Sequence, residues 1–328
     1  MRAMILAAGY GTRLWPLTVD RAKPAIPFMG RPLVGYMAEY LARYGFDDVV
    51  VNLHHRSESV RRALGDGGRF GVRLHYVEEP VILGTSGALD NARHLLEGDA
   101  FVVANGKLAT DIDLTAALET HRRTGALATL ILRRNRERDR YSIVEAKDGR
   151  VTGFGGFPSS DNAGGEEAEA PLMFTGIQVL DTRVFDLIPR GKYSDSVPTI
   201  YKPAIERGET IAAHVAEGAW YELSTVKRYL ETSVALMKRE GRDVELGEGC
   251  EVSPGASVGE SVLWEGVKIA PGARVRRAVL GAGVEVGPSD VFEEVAVVRA
   301  DLVAGEERPE KGLAGEVRGT NFVAPLPR

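Results

Sequence analysis

The chain has 328 residues, 44% of them hydrophobic, a formal net charge of −5 and a single cysteine. That length exceeds what one hydrophobic core usually serves and predicts two domains. The acidic balance argues against nucleic acid or an anionic membrane as the main partner, Cys250 has no second cysteine to pair with, and no apolar run reaches spanning length, so a cytoplasmic setting is expected.

In chain order, the apolar run Met4-Ile5-Leu6-Ala7-Ala8 predicts a buried parallel strand, too short for a signal peptide. Behind it come Gly9-Tyr10-Gly11-Thr12-Arg13-Leu14-Trp15-Pro16-Leu17-Thr18 and then Lys23-Pro24. Glycines let backbone N–H groups approach an anion closely, and Arg13 and Lys23 add fixed cations, so this is a candidate phosphate-handling loop. It is not a dinucleotide fingerprint, which needs a third glycine where Leu14 stands, nor a Walker A loop, which ends in Gly-Lys-Ser/Thr. In an acidic chain such a site has to be locally basic.

Short apolar runs at 49–53, 72–77, 101–104 and 126–132 read as strands, and residues 57–64, 86–96 and 114–124 show helical spacing with Ser57, Ser86 and Asp113 as N-caps. This alternation predicts an α/β fold with a mainly parallel sheet, whose ligands gather beyond the carboxyl ends of the strands. Gly84-Thr85-Ser86-Gly87 and Asn105-Gly106-Lys107 fall at such ends, as the first glycine loop does. Residues 155–171, rich in Gly, Ser and Glu, predict a surface loop. Strands are expected again at 174–180, 211–215 and 219–222, with helices at 197–207 and 225–239, the last stopped by Gly241.

Beyond Gly241 the period changes. Leu246, Val252, Val258, Leu263, Ile269, Val275, Leu280, Val286, Phe292 and Val297 are spaced by 6, 6, 5, 6, 6, 5, 6, 6 and 5 residues, a repeat of 17. Three strands per repeat would stack residues 246–262, 263–279 and 280–296 as triangular coils, with Pro254-Gly255-Ala256 and Pro271-Gly272-Ala273 at corners. An antiparallel meander is the alternative. The expected domains are 1–241, a β-helix at 242–301 and a tail at 302–328, with the tail capping one end of the coils and a second copy of the chain covering another.

The ordered set Gly-x-Gly-Thr-Arg-Leu, Pro-Leu-Thr and Lys-Pro resembles the sugar-nucleotide pyrophosphorylases, which join a nucleoside triphosphate to a sugar 1-phosphate and release pyrophosphate. The coils resemble the left-handed hexapeptide β-helix that follows the catalytic domain in mannose-1-phosphate guanylyltransferase-like members. The resemblance implies a Rossmann-like sheet with helices on both faces, followed by that β-helix. It implies nucleotide binding by Leu6, Ala7, Ala8, Gly9, Gly11, Thr12 and Arg13, and by Gly84, Thr85 and Gly87 of a Leu-Gly-Thr-Ala-Gly-like base loop. Lys23, Asn105, Gly106, Thr175 and Gly176 are implied on the sugar-phosphate side. Alternatively, residues 84–87 are an ordinary helix start and Gly176 a strand bulge. Glu78 and Glu79 read as a solvated acidic pair.

Two departures stand out. The family's Asn-Gly-Asp, whose carboxylate holds the catalytic magnesium, is here Asn105-Gly106-Lys107, and the second metal ligand corresponds to Glu222 in Trp220-Tyr221-Glu222. The family's Glu-Lys-Pro is represented only by Gly156-Phe157-Pro158. Arg13, Lys23, Lys107 and Glu222 are thus the catalytic candidates. Lys107 and Glu222 sum to zero charge, as two aspartates and a divalent cation do, so the expectation is that the Lys107 ammonium takes the metal's place, held by Glu222. A divalent ion about 4 Å from Lys107 would meet roughly 8 kcal/mol of repulsion at an effective dielectric near 20. In the alternative, Lys107 faces solvent and Mg2+ binds through substrate phosphates and Glu222, with Asp111 and Asp113 better explained as helix-capping residues.

The leading expectation is a nucleotidyltransferase, with GTP and mannose 1-phosphate the first pair to try. A catalytically weak or inactive sugar-nucleotide-binding subunit is the alternative that Lys107 suggests. An acyltransferase is disfavoured because all six histidines precede the coils. His54 and His55 are expected to be structural or solvated, and Cys250 to serve packing.

Overall fold

The structure, a computed structural model, describes residues 1–158 and 170–327. The loop expected over 155–171 falls largely outside the described residues. Contacts divide the chain into two compact units, Met1–Gly9 with Val34–His54 and Gly65–Trp220, and Tyr10–Leu33 with His55–Leu64 and Tyr221–Arg328. The C-terminal segment of the second unit begins at Tyr221, before the residue 241 boundary, and two segments of the N-terminal region group with it.

The first unit is built on nine strands: β1 (Arg2–Leu6), β2 (Asp48–Leu53), β3 (Arg73–Glu78), β4 (Phe101–Asn105), β5 (Ala128–Arg134), β6 (Val144–Lys147), β7 (Arg150–Phe154), β8 (Leu172–Leu180) and β9 (Ile211–Val215). They lie in the order β3-β2-β1-β4-β8-β5-β9-β7-β6. Only β8 and β7 run against the rest, giving the mainly parallel α/β sheet the alternation predicted. Apolar runs become central strands because both faces of such a sheet are covered: Ala3, Met4 and Ile5 of β1 and Val49 and Val51 of β2 have no exposed surface. β1 has β2 on one side and β4 on the other, with Leu6 opposite both Asn52 and Asn105. Strand order reverses there, which is where open parallel sheets bind ligands.

The helices are α1 (Leu33–Arg43), α2 (Ser57–Leu64), α3 (Gly84–Asn91), α4 (Arg93–Leu96), α5 (Leu114–Thr124), α6 (Lys202–Glu206) and α7 (Val226–Arg239), with a short α8 (Ala300–Val303) near the end. Asp113 caps α5 by accepting the Thr115 N–H at 2.8 Å. Thr225 caps α7. Ser86 does not cap: α3 begins two residues earlier, and the Ser86 hydroxyl donates to Ser194 Oγ at 2.9 Å. The helix expected over 197–207 is a π-helical turn, Val197–Tyr201, running into α6.

In the second unit the repeat is a parallel β-helix, and the meander is overturned. Leu246 pairs with Leu263, Leu263 with Leu280 and Leu280 with Val297. Val252, Ile269 and Val286 form a second column, and Val258, Val275 and Phe292 a third. Every step is parallel and advances 17 residues. Apart from Leu246 and Val252 of the first coil, which are exposed, these columns lie in or pack against the buried core of the coils, with Cys250 at its margin. The last residues do more than trail from the coils: Asn321–Pro325 pairs antiparallel with Val295–Arg299 and with Glu316–Arg318, extending one of the sheets. No described helix is long and apolar enough to cross a membrane.

Candidate active site

At the carboxyl edge of the first unit's sheet, polar side chains are buried where the strands end. Asn52, 3% exposed, accepts the Ala7 N–H through Oδ1 at 2.7 Å and donates through Nδ2 to Glu79 Oε1 at 2.7 Å. Glu79 accepts the Leu83 N–H through Oε2 at 2.9 Å. Its backbone carbonyl lies 2.7 Å from His54 Nδ1, which therefore carries the proton, since a carbonyl oxygen only accepts. The solvated acidic pair holds for Glu78, which is exposed, and fails for Glu79, which is 3% exposed. The Ala7 N–H, implied by resemblance in nucleotide binding, is engaged by Asn52.

The base loop is clamped from a segment more than a hundred residues away. Thr85 N–H and Thr85 Oγ1 donate to Asp195 Oδ1 at 3.0 and 3.1 Å, and the N–H groups of Ser86 and Gly87 donate to the Ser194 carbonyl at 3.0 and 3.1 Å. Partial burial opposes ionisation of Asp195, but hydrogen bonds from the Thr85 N–H, the Tyr193 hydroxyl and the Thr85 hydroxyl outweigh it and hold the carboxyl below its ordinary value. A Cβ on Gly87 would lie 2.6 Å from the Lys192 carbonyl, so this glycine serves the clamp. Residues 84–87 form the first turn of α3, and the N–H groups at Thr85 and Gly87 have acceptors inside the protein.

On the sugar side, Gly106 N–H donates to the Leu6 carbonyl at 2.9 Å, tying the end of β4 to the end of β1. Lys107 follows, half-buried. Gly176 has φ +84° within a register shift of β8, so the bulge reading holds. A Cβ at Gly176 would stand 2.2 Å from Asn105 Nδ2, so the missing side chain makes room for the Asn105 amide. Thr175 is 1% exposed, its hydroxyl donates to the Ile131 carbonyl at 2.7 Å and its carbonyl accepts Trp220 Nε1–H at 3.0 Å. These two bonds fasten the bulge to its neighbours. Asp111 accepts the Ala219 N–H at 2.6 Å and, with Asp113 capping α5, is accounted for structurally.

In the second unit, Gly11 has φ +67°, and a Cβ there would meet Lys23 Cβ at 2.7 Å and Thr18 Cγ2 at 3.3 Å. The glycine thus lets the stem of Lys23 lie directly against the loop. Thr12–Leu14 forms a 3-10 turn that buries Leu14 and leaves Arg13 exposed. Tyr10 is half exposed beside His55, ring centroids 5.6 Å apart. The Glu222 side chain is 8% exposed, and its carboxylate lies 3.8 Å from Arg228 Nη1.

A nucleotidyl transferase family model matches residues 2–239. The chain belongs to that family. It is 33% identical over 276 residues to the UTP–glucose-1-phosphate uridylyltransferase of Synechocystis, covering 80% of this chain and 70% of that one. It is 33% identical over 237 residues to the N-acetylmuramate α-1-phosphate uridylyltransferase of Neisseria meningitidis, covering 70% and 96%. Against the mannose-1-phosphate guanylyltransferase of Mycobacterium tuberculosis the identity is 28% over 265 residues, covering 77% and 72%. A Bacillus anthracis chain solved with sucrose and described as a glucose-1-phosphate thymidylyltransferase shares the fold, with TM-score 0.61 and 23% identity over 76% of this chain and 98% of that one.

The divalent metal implied by resemblance is not matched by the residues at its expected ligand positions. Lys107 is a cation and offers no lone pair while protonated, and the Glu222 carboxylate already faces Arg228. Among the described residues no three His, Cys, Asp or Glu side chains gather as a metal cluster.

Proposed function

We propose that this nucleotidyl transferase joins a nucleoside triphosphate to a sugar 1-phosphate, giving a nucleoside diphosphate sugar and pyrophosphate. What carries the reading is the 33% identity to a sugar-1-phosphate uridylyltransferase over 80% of the chain. The placement of Leu6, Asn52 and Asn105 at one strand edge supports it. An oxygen of the sugar phosphate attacks the α-phosphorus in line, the α–β bridging bond breaks, and negative charge builds on the departing pyrophosphate. Positioning and charge neutralisation do most of such catalysis. Arg13 is the cation assigned to the triphosphate and Lys23 to the phosphates at the reacting centre, and Lys107 supplies fixed positive charge where the family places a metal-binding carboxylate. An ammonium cannot polarise phosphate oxygens by coordination, so slow turnover is expected.

GTP with mannose 1-phosphate remains one candidate pair, and the uridylyltransferase relatives make UTP with glucose 1-phosphate the other to test first. Pyrophosphate release should be measured with GTP, UTP, dTTP, ATP and CTP against a panel of sugar 1-phosphates, each with magnesium and with EDTA. Turnover that survives EDTA is expected if Lys107 stands in for metal. Turnover lost in EDTA would keep the enzyme and reject that role of Lys107. Binding of a sugar nucleotide without turnover from any pair would reject the proposal in favour of a binding subunit.

A further inference from the structure

Glu79 is a buried carboxylate whose two oxygens accept from two different parts of the first unit. One takes Asn52 Nδ2–H at 2.7 Å and the other the Leu83 N–H at 2.9 Å, while Asn52 Oδ1 takes the Ala7 N–H at 2.7 Å. Read in order, the bonds run from the Ala7 amide at the head of the glycine loop, through Asn52 and Glu79, to the amide that opens the base loop. We propose that Glu79 is a positioning residue for the nucleotide: its carboxylate fixes the spacing between the residues 7–9 segment and residues 83–87. The inference rests on the nucleotidyl-transfer reading above.

Donor direction makes the assignment specific. Ala7 N–H and Leu83 N–H are both obligate donors. Asn52 must turn its oxygen to Ala7, which leaves its amide nitrogen, another donor, facing residue 79. Residue 79 therefore has to accept at both ends, and only a carboxylate does so. Glutamine at 79 would set its NH2 against either Asn52 Nδ2 or the Leu83 N–H, and flipping Asn52 only moves the conflict to Ala7. Burying a carboxylate with neutral donors is a poor route to stability, since an apolar side chain of similar volume avoids the desolvation cost. What a carboxylate provides here is a fixed distance between two loops. Residues 194–196 hold the loop along its whole length, bonding the Leu83 carbonyl as well as Thr85, Ser86 and Gly87, so Glu79 is what ties this clamped loop to the residues 7–9 segment.

The same logic names a rescue. With Asn52→Asp and Glu79→Gln together, aspartate oxygens accept from Ala7 N–H and from the glutamine NH2, and the glutamine oxygen accepts the Leu83 N–H. Every bond returns with the charge moved one residue along the chain of contacts. Either change alone leaves a conflict, donor against donor in Glu79→Gln and carboxylate against carboxylate in Asn52→Asp.

The test is steady-state kinetics of the full chain and these three variants with the best substrate pair, reading KM for the nucleotide and KM for the sugar phosphate separately. Each single variant is expected to raise the nucleotide KM roughly 10- to 100-fold, as for an unsatisfied buried donor, with the sugar-phosphate KM within about threefold of wild type. The double variant is expected to return the nucleotide KM to within about threefold of wild type. Unchanged KM values in the singles, equal shifts in both KM values, or no recovery in the double would each overturn the proposal. Should the singles not fold, Glu79→Asp, which keeps both acceptors one methylene short, is expected to raise the nucleotide KM alone, and a wild-type value there would overturn it. If the wild-type chain turns over no pair, the activity reading fails by itself, and the positioning role is read from calorimetric Kd values for the five triphosphates across the same variants, with the same expected pattern and the same overturning results.

Discussion

Asp195 holds the start of α3 from a distant part of the chain, and its titration gives that role a signature. Its folded carboxyl lies below the ordinary value, about 3.9 for an unfolded aspartate, so the unfolded chain binds the proton first as pH falls. The contribution is therefore complete above about pH 4 and is lost as pH drops through the folded value. Asp195→Ala is expected to lower stability by about 1 kcal/mol at pH 7, the cost typical of a lost helix cap, with the gap narrowing as pH falls below about 4. Urea denaturation of both proteins at pH 7, 4 and 3 checks this, and a gap that did not vary with pH would contradict it. At this scale the sequence was readable where a residue type is nearly unique to its job. Gly11 was legible as a glycine that a close approach requires, and what approaches it in the structure is the stem of Lys23. Glu79 was not legible, because an acid beside an acid before a proline looks solvated until the donors facing it are known. The buried Asn52 at the end of Val49-Val50-Val51 was the available signal: a polar residue closing an apolar strand at the ligand edge of a sheet.

Elements were legible in proportion to the periodicity they carry. The 17-residue repeat placed all ten column positions correctly, because each coil needs an inward apolar residue per face and repeats that need in register. Helix α1 was not anticipated, although Leu33–Arg43 carries an amphipathic pattern as marked as that of α5. The hairpin of β6 and β7 escaped too, its two strands of 4 and 5 residues offering little pattern. The clamp on residues 84–87 had no local signal at all, since residues 194–196 reach it only through the fold. The columns also rank their own members: Leu246 is 54% exposed, whereas Leu280 is fully buried. Leu280→Ala is expected to cost about 2–4 kcal/mol and Leu246→Ala less than about 1 kcal/mol, as measured by urea unfolding. Equal losses at the two positions would mean that the first coil is covered.

For the molecule as a whole, sequence order and compact units differ. Trp15 of the glycine-loop segment leaves room for no side chain at Gly312, where a Cβ would approach Trp15 Cδ1 to 2.8 Å, and Arg56 pairs with Glu306 at 3.2 Å. A chain cut at 241 would strip these contacts from a segment that carries Arg13 and Lys23. The β-helix has a further consequence: its length is quantised. Since Leu263 and Leu280 occupy the same column one coil apart, removing residues 280–296 would bring Val297 onto Leu263 with every face preserved. Removing six residues would instead turn all that follows by one face, carrying Asn321–Pro325 away from the sheet it extends. The 17-residue deletion is expected to melt cooperatively and the six-residue deletion to lose cooperative unfolding, as read by circular dichroism. The region can thus be lengthened or shortened only in whole coils, like a stack of identical floors in which a partial storey leaves the staircase on the wrong wall.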